Sequence, residues 1–353
     1  MTEALSLMYG IDLPTRSVVG VPAEQDRTLF LVGTLSLKQD NQVCLLEVDD
    51  DWVQITKRSF MHSAGEVWYM SSSPIDSTVV ATCYSACVGL WKMNSDESKL
   101  VEIARYAVLP NMGKCNSAEF DPDGSKIAIA AGNSVLVNDV TKLLKVQFSS
   151  PDNSGGAVNA LVWNPHSGGR ILAVAQGTSV KGIDIRSEQE LFCVQNAHLS
   201  HVRNLDFNPN VQNIMATCGD DFRVALWDIR NVDTPLKVLQ DHSHWVWCIK
   251  FNPIHDQLLL SAGSDARLFL NSLESFSSES VHSFALAQDD SEYSSHENKL
   301  CDERLEKMEE HEDSVFCCAW AGNDPWVFAS VSFDGRVIIS KVKRHHKYAI
   351  LRL

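Results

Sequence analysis

The chain has 353 residues, of which 44% are hydrophobic and 21% are charged. A chain of this length and balance buries a substantial core, which excludes a disordered, collagen-like or coiled-coil protein. The net charge of −15, with no basic run along the sequence, argues against a nucleic-acid partner because the phosphate backbone would be repelled.

The N-terminus and the apolar segments indicate the compartment. Residues 1–10 carry an acid instead of the basic region and apolar stretch of a signal peptide. No apolar run approaches the roughly 18–20 residues of a membrane-spanning helix. The ten cysteines, which lie within apolar segments, are typical of free buried thiols. We therefore expect a cytoplasmic protein without a transmembrane segment, whose membrane association goes through partners.

An internal repeat predicts the fold. Phe207-Asn208-Pro209 recurs as Phe251-Asn252-Pro253, and variants begin at Phe120 and Trp163, at intervals of 43 to 44 residues. A unit of roughly 40–45 residues with four short strands is typical of a propeller blade. Seven units fill the chain, so we predict an all-β fold: a single seven-bladed β-propeller over residues 1–353.

The blade boundaries follow from the same period. In chain order, we predict blades at residues 5–58, 59–104, 105–147, 148–193, 194–239, 240–274 and 304–353. Residues 275–303 are acidic, rich in serine and without apolar periodicity, which predicts a mobile, disordered insertion before the last blade. Ser278 and Ser291 lie beside acidic residues in this insertion. One interpretation is that they are phosphorylation sites, and the other is that the insertion is simply a solvated loop that the fold tolerates. Ring closure needs a partner for the last edge strand. Residues 347–351 are one candidate for the outermost strand of the last blade, and residues 9–13 either begin the first blade or compete for that place.

Three polar trios recur at identical spacing. A histidine precedes a hydroxyl residue by 19 positions and an aspartate by 23 in each of His198, Thr217 and Asp221; His242, Ser261 and Asp265; and His311, Ser330 and Asp334. A catalytic constellation is assembled once, so three copies favour a structural relay in which imidazole bridges a turn carboxylate and a strand hydroxyl. Trp227 adds its indole N–H to the first relay. Asn271 and Ser340 stand at that position in the other two.

Few residues point to chemistry. The sequence has no phosphate-binding loop, dinucleotide fingerprint, nucleophile elbow or Cys-x-x-Cys pair. Cys83 with Cys87, and His242 with His244, lack the further ligands of a metal site. We therefore expect no catalytic residue, no cofactor and no metal. A hydrolase built on one trio is the least favoured alternative.

A binding platform is the default function for such a fold, because loops on rigid strands carry recognition. We expect partner contacts from large side chains that enter the inner strands, with tryptophan and arginine the residues most often found at interface hot spots. Trp245 could equally pack between blades. The candidates are His201, Arg203, His244, Trp245 and Asp313.

Residues 197–230, which end in Leu226-Trp227-Asp228, resemble the WD-repeat family. Further segments, spread over essentially the whole chain, are similar to the EARP and GARP complex-interacting protein family. These segments are Phe30-Leu31-Val32-Gly33-Thr34 with Ser36-Leu37-Lys38-Gln39-Asp40-Asn41-Gln42, His62-Ser63-Ala64-Gly65-Glu66-Val67-Trp68, Asn196-Ala197-His198 with Asp206-Phe207-Asn208-Pro209-Asn210, His242-Ser243-His244-Trp245-Val246-Trp247, and Glu310-His311-Glu312-Asp313-Ser314-Val315 with Asp324-Pro325-Trp326.

That resemblance implies a non-catalytic scaffold that binds subunits of the EARP and GARP tethering complexes. It implies membrane recruitment of the tether to recycling endosomes and the trans-Golgi network. It also implies roles in endosomal recycling, retrograde traffic to the trans-Golgi network and dense-core vesicle cargo sorting. We expect the chain to be monomeric within the larger assembly.

An alternative from another class is a substrate receptor of a cullin–RING ubiquitin ligase. Trp227-Asp228-Ile229-Arg230 resembles the box that such receptors present to their propeller adaptor, with Arg230 as the key cation. The simpler interpretation is that Arg230 ends a blade and pairs with a nearby acid.

Overall fold

Antiparallel strands in chain order make up the protein. The computed structural model describes residues 5–85, 87–107, 113–140, 145–149, 156–279 and 302–352. The first nine strands are β1 (Ser6–Gly10), β2 (Thr15–Gly20), β3 (Thr28–Thr34), β4 (Asn41–Val48), β5 (Ile55–His62), β6 (Tyr69–Ser72), β7 (Val79–Tyr84), β8 (Cys87–Asn94) and β9 (Lys99–Ala107). Strands β2 to β9 form one eight-stranded sheet in the order β2-β3-β4-β5-β9-β8-β7-β6.

The next four sheets each have four strands in sequential order. The first comprises β10 (Cys115–Phe120), β11 (Lys126–Ala131), β12 (Ser134–Asp139) and β13 (Lys145–Ser149), and the second β14 (Val158–Trp163), β15 (Ile171–Gln176), β16 (Ser179–Asp184) and β17 (Gln189–Val194). The third comprises β18 (Val202–Phe207), β19 (Ile214–Gly219), β20 (Val224–Asp228) and β21 (Lys237–Leu239), and the fourth β22 (Val246–Phe251), β23 (Leu258–Gly263), β24 (Leu268–Ser272) and β25 (Glu303–Met308).

The last sheet joins the two ends of the described chain. It comprises β26 (Val315–Trp320), β27 (Val327–Ser332), β28 (Arg336–Lys341) and the N-terminal β1, and the helix α1 (Arg344–Leu351) follows it. Short 3₁₀ turns occupy Pro165–Ser167 and Glu274–Phe276. No helix in the described ranges is long and apolar enough to cross a membrane.

The sheets pack face to face around a ring. Strands β19, β23 and β27 are buried at every residue, as expected of strands covered on both faces. The innermost strands β2, β6, β10, β14, β18, β22 and β26 contact one another in succession, and β26 contacts β2, which closes the circle. The predicted all-β propeller is therefore confirmed.

One junction differs from a row of separate four-stranded blades. A single parallel bridge, Met61 opposite Lys99, joins β5 to β9 and merges two four-stranded units into the eight-stranded sheet. Elsewhere within the described residues, every pair of neighbouring strands in a sheet is antiparallel.

The ring is closed by the N-terminal strand. β1 pairs with β28 from Ser6 opposite Ser340 to Gly10 opposite Arg336. The prediction of a strand at residues 347–351 is wrong, because these residues lie in α1. Since β1 already occupies the edge of β28, this segment instead packs the side chain of Ile350 onto a core cluster that contains Trp326.

The predicted blade boundaries also differ from the observed sheets. β1 belongs to the last sheet and not to the first predicted blade, 5–58. β25 pairs with β24 and not with the last predicted blade, 304–353. The boundaries at 58, 104, 147 and 193 cut β5, β9, β13 and β17. Outer strands such as β25 bury few side chains, so the apolar pattern marks them poorly.

The acidic insertion therefore falls inside a sheet. The predicted insertion, residues 275–303, lies between β24 and β25 and includes Glu303, the first residue of β25; these are the third and fourth strands of one sheet, so the insertion does not link two blades. Residues 280–301, including Ser291, lie outside the described residues. At the start of the insertion, Ser278 donates its backbone N–H (2.8 Å) and its hydroxyl (2.9 Å) to the carboxylate of Asp256.

Candidate functional site

The first histidine trio is a closed hydrogen-bond chain in the sheet β18–β21. His198 Nδ1 lies 2.8 Å from Asp221 Oδ1, and His198 Nε2 lies 2.8 Å from Thr217 Oγ1. Trp227 donates its indole N–H to the same hydroxyl at 2.9 Å. Burial raises the pKa of Asp221, but the hydrogen bond and charge of His198 outweigh it and leave that pKa below its usual value. The relay ties the loop before β18 to the turn after β19.

The second trio has the same geometry without the tryptophan. His242 Nδ1 lies 3.0 Å from Asp265 Oδ1, and Nε2 lies 3.0 Å from Ser261 Oγ. Asn271 stands where Trp227 stands in the neighbouring sheet. Within the described residues its buried side-chain amide finds no hydrogen-bond partner. The substitution keeps the relay and loses the indole bond.

The third trio departs from the predicted pattern. His311 Nε2 meets Ser330 Oγ at 2.7 Å, but Nδ1 meets Ser332 Oγ at 2.8 Å instead of Asp334. Ser332 in turn donates its hydroxyl to Asp334 Oδ1 at 2.5 Å. The direct contact of His311 with Asp334, expected from the spacing, is therefore replaced by one through a serine.

A glycine explains the difference. Two residues before the aspartate, the other trios have Gly219 and Gly263. A Cβ at Gly219 would lie 3.0 Å from the ring of His198, and one at Gly263 would lie 2.6 Å from His242 Nδ1. Only a residue without a side chain lets imidazole reach the carboxylate directly. In the last sheet Ser332 fills this place.

A fourth histidine forms a related relay in the eight-stranded sheet. His62 Nε2 lies 3.0 Å from Thr82 Oγ1, which also accepts the indole N–H of Trp91 at 2.8 Å. His62 Nδ1 is 2.8 Å from the carbonyl oxygen of Gly65. The histidine and the threonine are 20 positions apart, one more than in the three trios.

The trios do not converge on one pocket. They lie in three different sheets, and the hydroxyls of Thr217, Ser261 and Ser330 are buried. Each histidine uses both ring nitrogens for bonds within its own sheet. The pair Cys83 and Cys87 lies on facing strands β7 and β8. Among the described residues no cluster of three His, Cys, Asp or Glu side chains could hold a metal ion.

The face of the ring that carries these loops opens into a cavity of about 210 Å³. Innermost strands share a β-bulge after their first residue, visible as a register shift, and a bulge re-aims the side chain that it skips. Together with Trp68, which precedes β6, the skipped residues line the cavity; they are Arg16, Asn116, Asn159, Arg203, Trp247 and Phe316. We call this opening the channel mouth.

The asparagines at the channel mouth have structural partners. Asn116 donates its amide to the carbonyl oxygen of Val158 at 2.8 Å, and Asn159 donates its amide to that of Val202 at 2.9 Å. Each asparagine thus fastens its strand to the next one around the ring. The arginines and aromatic residues remain as the groups that a ligand could contact.

The channel mouth is cationic although the chain is acidic. Its lining contains Arg16, Lys114 and Arg203 and no carboxylate. The Arg203 guanidinium is held by Asp220 through two bonds of 2.6 Å, and His201 Nδ1 lies 3.6 Å from the same carboxylate. Burial and the charge of Arg203 lower the pKa of Arg16. The sequence did not single out Arg16, because no relay histidine precedes its strand as His198, His242 and His311 precede β18, β22 and β26.

Aromatic rings extend from the channel mouth to the outer surface. Adjacent ring centroids along this row lie 5.0–6.0 Å apart. We call the row the aromatic strip; in order it comprises Phe222, His244, Trp245, Trp247, Phe316 and Phe333. The Arg203 guanidinium lies 4.8 Å from the Trp247 centroid and 5.8 Å from that of Trp245. Trp245 is 39% exposed, so it does not pack between blades.

The other predicted partner residue, Asp313, stands three residues before Phe316 in the sequence. Asp313 is exposed, and its carboxylate accepts a hydrogen bond from the backbone N–H of Ser314 at 2.6 Å. The structure therefore brings Arg203, His244 and Trp245 together in one array, whereas His201 contacts the carboxylate of Asp220. Trp247 and Phe316, which complete the strip, stand five residues after His242 and His311, a signal that the sequence does carry.

Deeper along the same strands lies a charged group. Glu119, Asp206 and Lys250 stand three residues beyond the bulge positions of β10, β18 and β22. Desolvation raises the pKa of Asp206 to about 6, although the charge of Lys250 opposes the shift. Tyr69 donates its hydroxyl to Glu119. This group binds four inner strands together around the channel.

Arg230, the last residue of the Trp227–Arg230 box, forms its ion pair within the box. Arg230 Nη2 lies 2.7 Å from Asp228 Oδ2, two residues earlier, and the arginine side chain is 70% exposed. The acid that pairs with Arg230 therefore belongs to the box itself. Trp227 of the same box is buried in the relay.

Repeated relays, four-stranded units and a closed ring define a WD-repeat β-propeller. A family model described as EIPR1 beta-propeller matches residues 3–271, and one described as WD domain, G-beta repeat matches residues 302–339. The chain belongs to the EIPR1 β-propeller family, which confirms the resemblance drawn from the sequence.

Relatives cover the full length. The EARP and GARP complex-interacting protein 1 of Homo sapiens is 36% identical over 386 residues, spanning 99% of this chain and 100% of that protein. The EARP-interacting protein 1 of Caenorhabditis elegans is 37% identical over 364 residues, spanning 98% and 99%. The WD repeat-containing protein DWA2 of Arabidopsis thaliana is 30% identical over 353 residues, spanning 95% and 96%.

Proposed function

We propose that this chain is a non-catalytic scaffold that binds subunits of the EARP and GARP complexes through the aromatic strip and the channel mouth. The names of relatives that are 36–37% identical over the full length support the identity of the partners. The single observation that carries the location is the aromatic strip, a row of rings that includes four exposed members: Phe222, His244, Trp245 and Phe333.

The physical basis is the pairing of apolar area with fixed geometry. Tryptophan and arginine dominate interface hot spots, and the strip presents Trp245 with the Arg203 guanidinium over its ring. Asp220 fixes the arginine, so little side-chain entropy is lost when a partner covers it. The relays hold the loops that carry these residues.

The proposal includes a ring of seven blades. The eight-stranded sheet counts as two blades, because one bridge alone joins β5 to β9 and each half is an antiparallel unit of four strands. The seven innermost strands, each of which contacts the next around the ring, support this count.

The cellular role extends the same proposal. The scaffold works in the cytoplasm as a monomer within a larger assembly, and its partners recruit it to the trans-Golgi network and recycling endosomes. There it promotes membrane recruitment of the tether, endosomal recycling, retrograde traffic and dense-core vesicle cargo sorting. Neither a nucleic acid nor a cofactor takes part.

Affinity purification from cells tests the partner and the surface together. We expect the tagged wild type to recover subunits of EARP and GARP, and Trp245→Ala to lose most of them. Tyr348→Ala, which removes an aromatic side chain 49% exposed on α1, is the matched control and should recover them in full.

Arg230→Ala separates the ligase alternative. We expect this variant to recover the tether subunits as the wild type does. The proposal fails if Trp245→Ala recovers them undiminished. It also fails if a cullin–RING adaptor dominates the wild-type sample and disappears with Arg230→Ala.

A further inference from the structure

Arg16 is a cation without an acidic partner. Within the described residues no carboxylate lies within ion-pair distance of its guanidinium, and its N–H groups donate no hydrogen bond. Its contacts are instead aromatic: the guanidinium carbon lies 5.5 Å from the Trp68 centroid, 5.2 Å from that of Trp247 and 4.6 Å from that of Phe316. A half-buried charge of this kind is costly unless something completes its coordination.

The surroundings of Arg16 increase its attraction for an anion. Lys114, with Nζ 5.3 Å from the Trp68 centroid, also has no ion pair in the part of the chain that the structure describes. Asp220 neutralises only Arg203, so Arg16 and Lys114 leave the lining of the channel mouth with an excess of two positive charges. Low-dielectric aromatic walls focus such a field on the opening.

We infer that the channel mouth binds an acidic segment of a partner polypeptide, one carboxylate of which pairs with the guanidinium of Arg16. Three aromatic rings contact that guanidinium, and no group of the described residues uses its N–H donors, so these donors are available to a ligand. A planar fork of N–H donors matches a carboxylate through two parallel hydrogen bonds.

The aromatic strip favours a peptide over a small anion. A phosphate ion in the 210 Å³ cavity would contact the cations and leave uncovered the part of the strip that lies outside the cavity, Trp245 included. A peptide whose acid enters the channel mouth lays its neighbouring apolar side chain on Trp245 and Trp247. The inferred ligand is therefore an aspartate or glutamate beside an aliphatic or aromatic residue. The inference deepens the proposed function by naming the chemistry of the partner's docking segment.

A random peptide library tests the inference without assuming any partner. The full chain is screened against octapeptides randomised at every position, and binders are synthesised for fluorescence-anisotropy titration at two salt concentrations. We expect selected peptides to share an acid beside an apolar residue. Replacing that acid by its amide should weaken binding tenfold or more, and the affinity should fall as salt rises.

A double-mutant cycle locates the contact. Arg16→Gln should weaken the acidic peptide at least tenfold and leave its amide version unchanged, since the two losses describe one interaction. Arg105→Gln, on the outer strand β9 where Glu102 pairs with that arginine, is the matched control and should bind as the wild type does. Lys114→Gln, an exposed position, provides a second variant should Arg16→Gln fold poorly.

Several results would overturn the inference. These are selected peptides without a shared acid, additive losses in the cycle, or unchanged binding by both cavity variants. The last experiment measures the melting temperature with inorganic phosphate or pyrophosphate alone. If either raises the melting temperature in a manner that needs Arg16 while no peptide binds, the site is for a small anion. The proposed function stands or falls separately, on recovery of tether subunits by Trp245→Ala.

Discussion

The relay of the sheet β18–β21 offers a quantitative test against its counterpart in the last sheet. Asp221→Ala removes the acceptor of the His198 Nδ1–H and of the Leu199 backbone N–H, which lie 2.8 and 3.0 Å away. His198 is 2% exposed, so water does not replace the lost carboxylate. An unsatisfied buried donor costs about 1–3 kcal/mol, and loss of the second charged bond brings the expected cost to about 2–4 kcal/mol.

Asp334→Ala should cost less, about 1 kcal/mol or below. His311 Nδ1 keeps its bond to Ser332, and the Ser332 hydroxyl can turn to the carbonyl oxygen of Arg336, 3.4 Å away. The interposed serine thus buffers the histidine against loss of the carboxylate. The difference between the two variants isolates the direct imidazole–carboxylate contact.

The measurement is equilibrium unfolding in urea, followed by the fluorescence of the nine tryptophans and by circular dichroism to check that the transitions coincide. Asp313→Ala, an exposed aspartate, should stay within about 0.5 kcal/mol of the wild type. The reasoning is refuted if Asp334→Ala destabilises as much as Asp221→Ala, or if Asp221→Ala unfolds at the wild-type midpoint.

Three further predictions concern stability. Gly263→Ala should lower the free energy of unfolding in urea by about 1–3 kcal/mol, because its Cβ would lie 2.6 Å from His242 Nδ1. Gly10→Ala is the control and should be near neutral, because a Cβ there has nothing within 4 Å. Equal effects of the two substitutions would contradict the close approach at Gly263. Burial lowers the pKa of His311 from 6.5 to about 4, so the unfolded chain takes up the proton first and stability is lost as pH falls from 6.5 towards 4. Between pH 7 and pH 5 this histidine should cost about 2 kcal/mol, and the pH dependence should shrink by that amount in His311→Gln; an unchanged slope would argue against it. Deleting residues 1–10 should lower the melting temperature and promote association, since β28 loses its neighbour; deleting residues 1–4 alone is the control, and equal melting of the two truncations would count against closure by β1.

Much of the ring could be predicted because its units repeat. The spacing of Phe-Asn-Pro and of the trios reflects strands of constant length joined by constant turns, so His198 meets Thr217 and Asp221 as the offsets indicate. The serine between His311 and Asp334 could not be foreseen from the trio alone. It depends on a position two residues before the aspartate, where glycine stands in the other sheets.

Elements with weak apolar patterns were harder to predict. β25 buries little, and the contest for the edge of β28 was decided by pairing over a sequence distance that local patterns do not encode. The channel mouth depends on bulges, which exist only in relation to a neighbouring strand. Arg203 and Trp245 could be selected as large polar and aromatic side chains, but Arg16 gains its significance from three aromatic rings that are distant from it in the sequence.

The pairing of β1 with β28 also means that the last sheet cannot be completed until almost the whole chain has been synthesised. Ser6 leaves the ribosome about 330 residues before Ser340, its partner across the last sheet. At 5–20 residues per second, the first strand waits on the order of 20–60 seconds for the strand that it completes. Throughout that interval β1 is an unpaired strand, so a newly made chain has a long window in which chaperones can bind it or other nascent chains can pair with it.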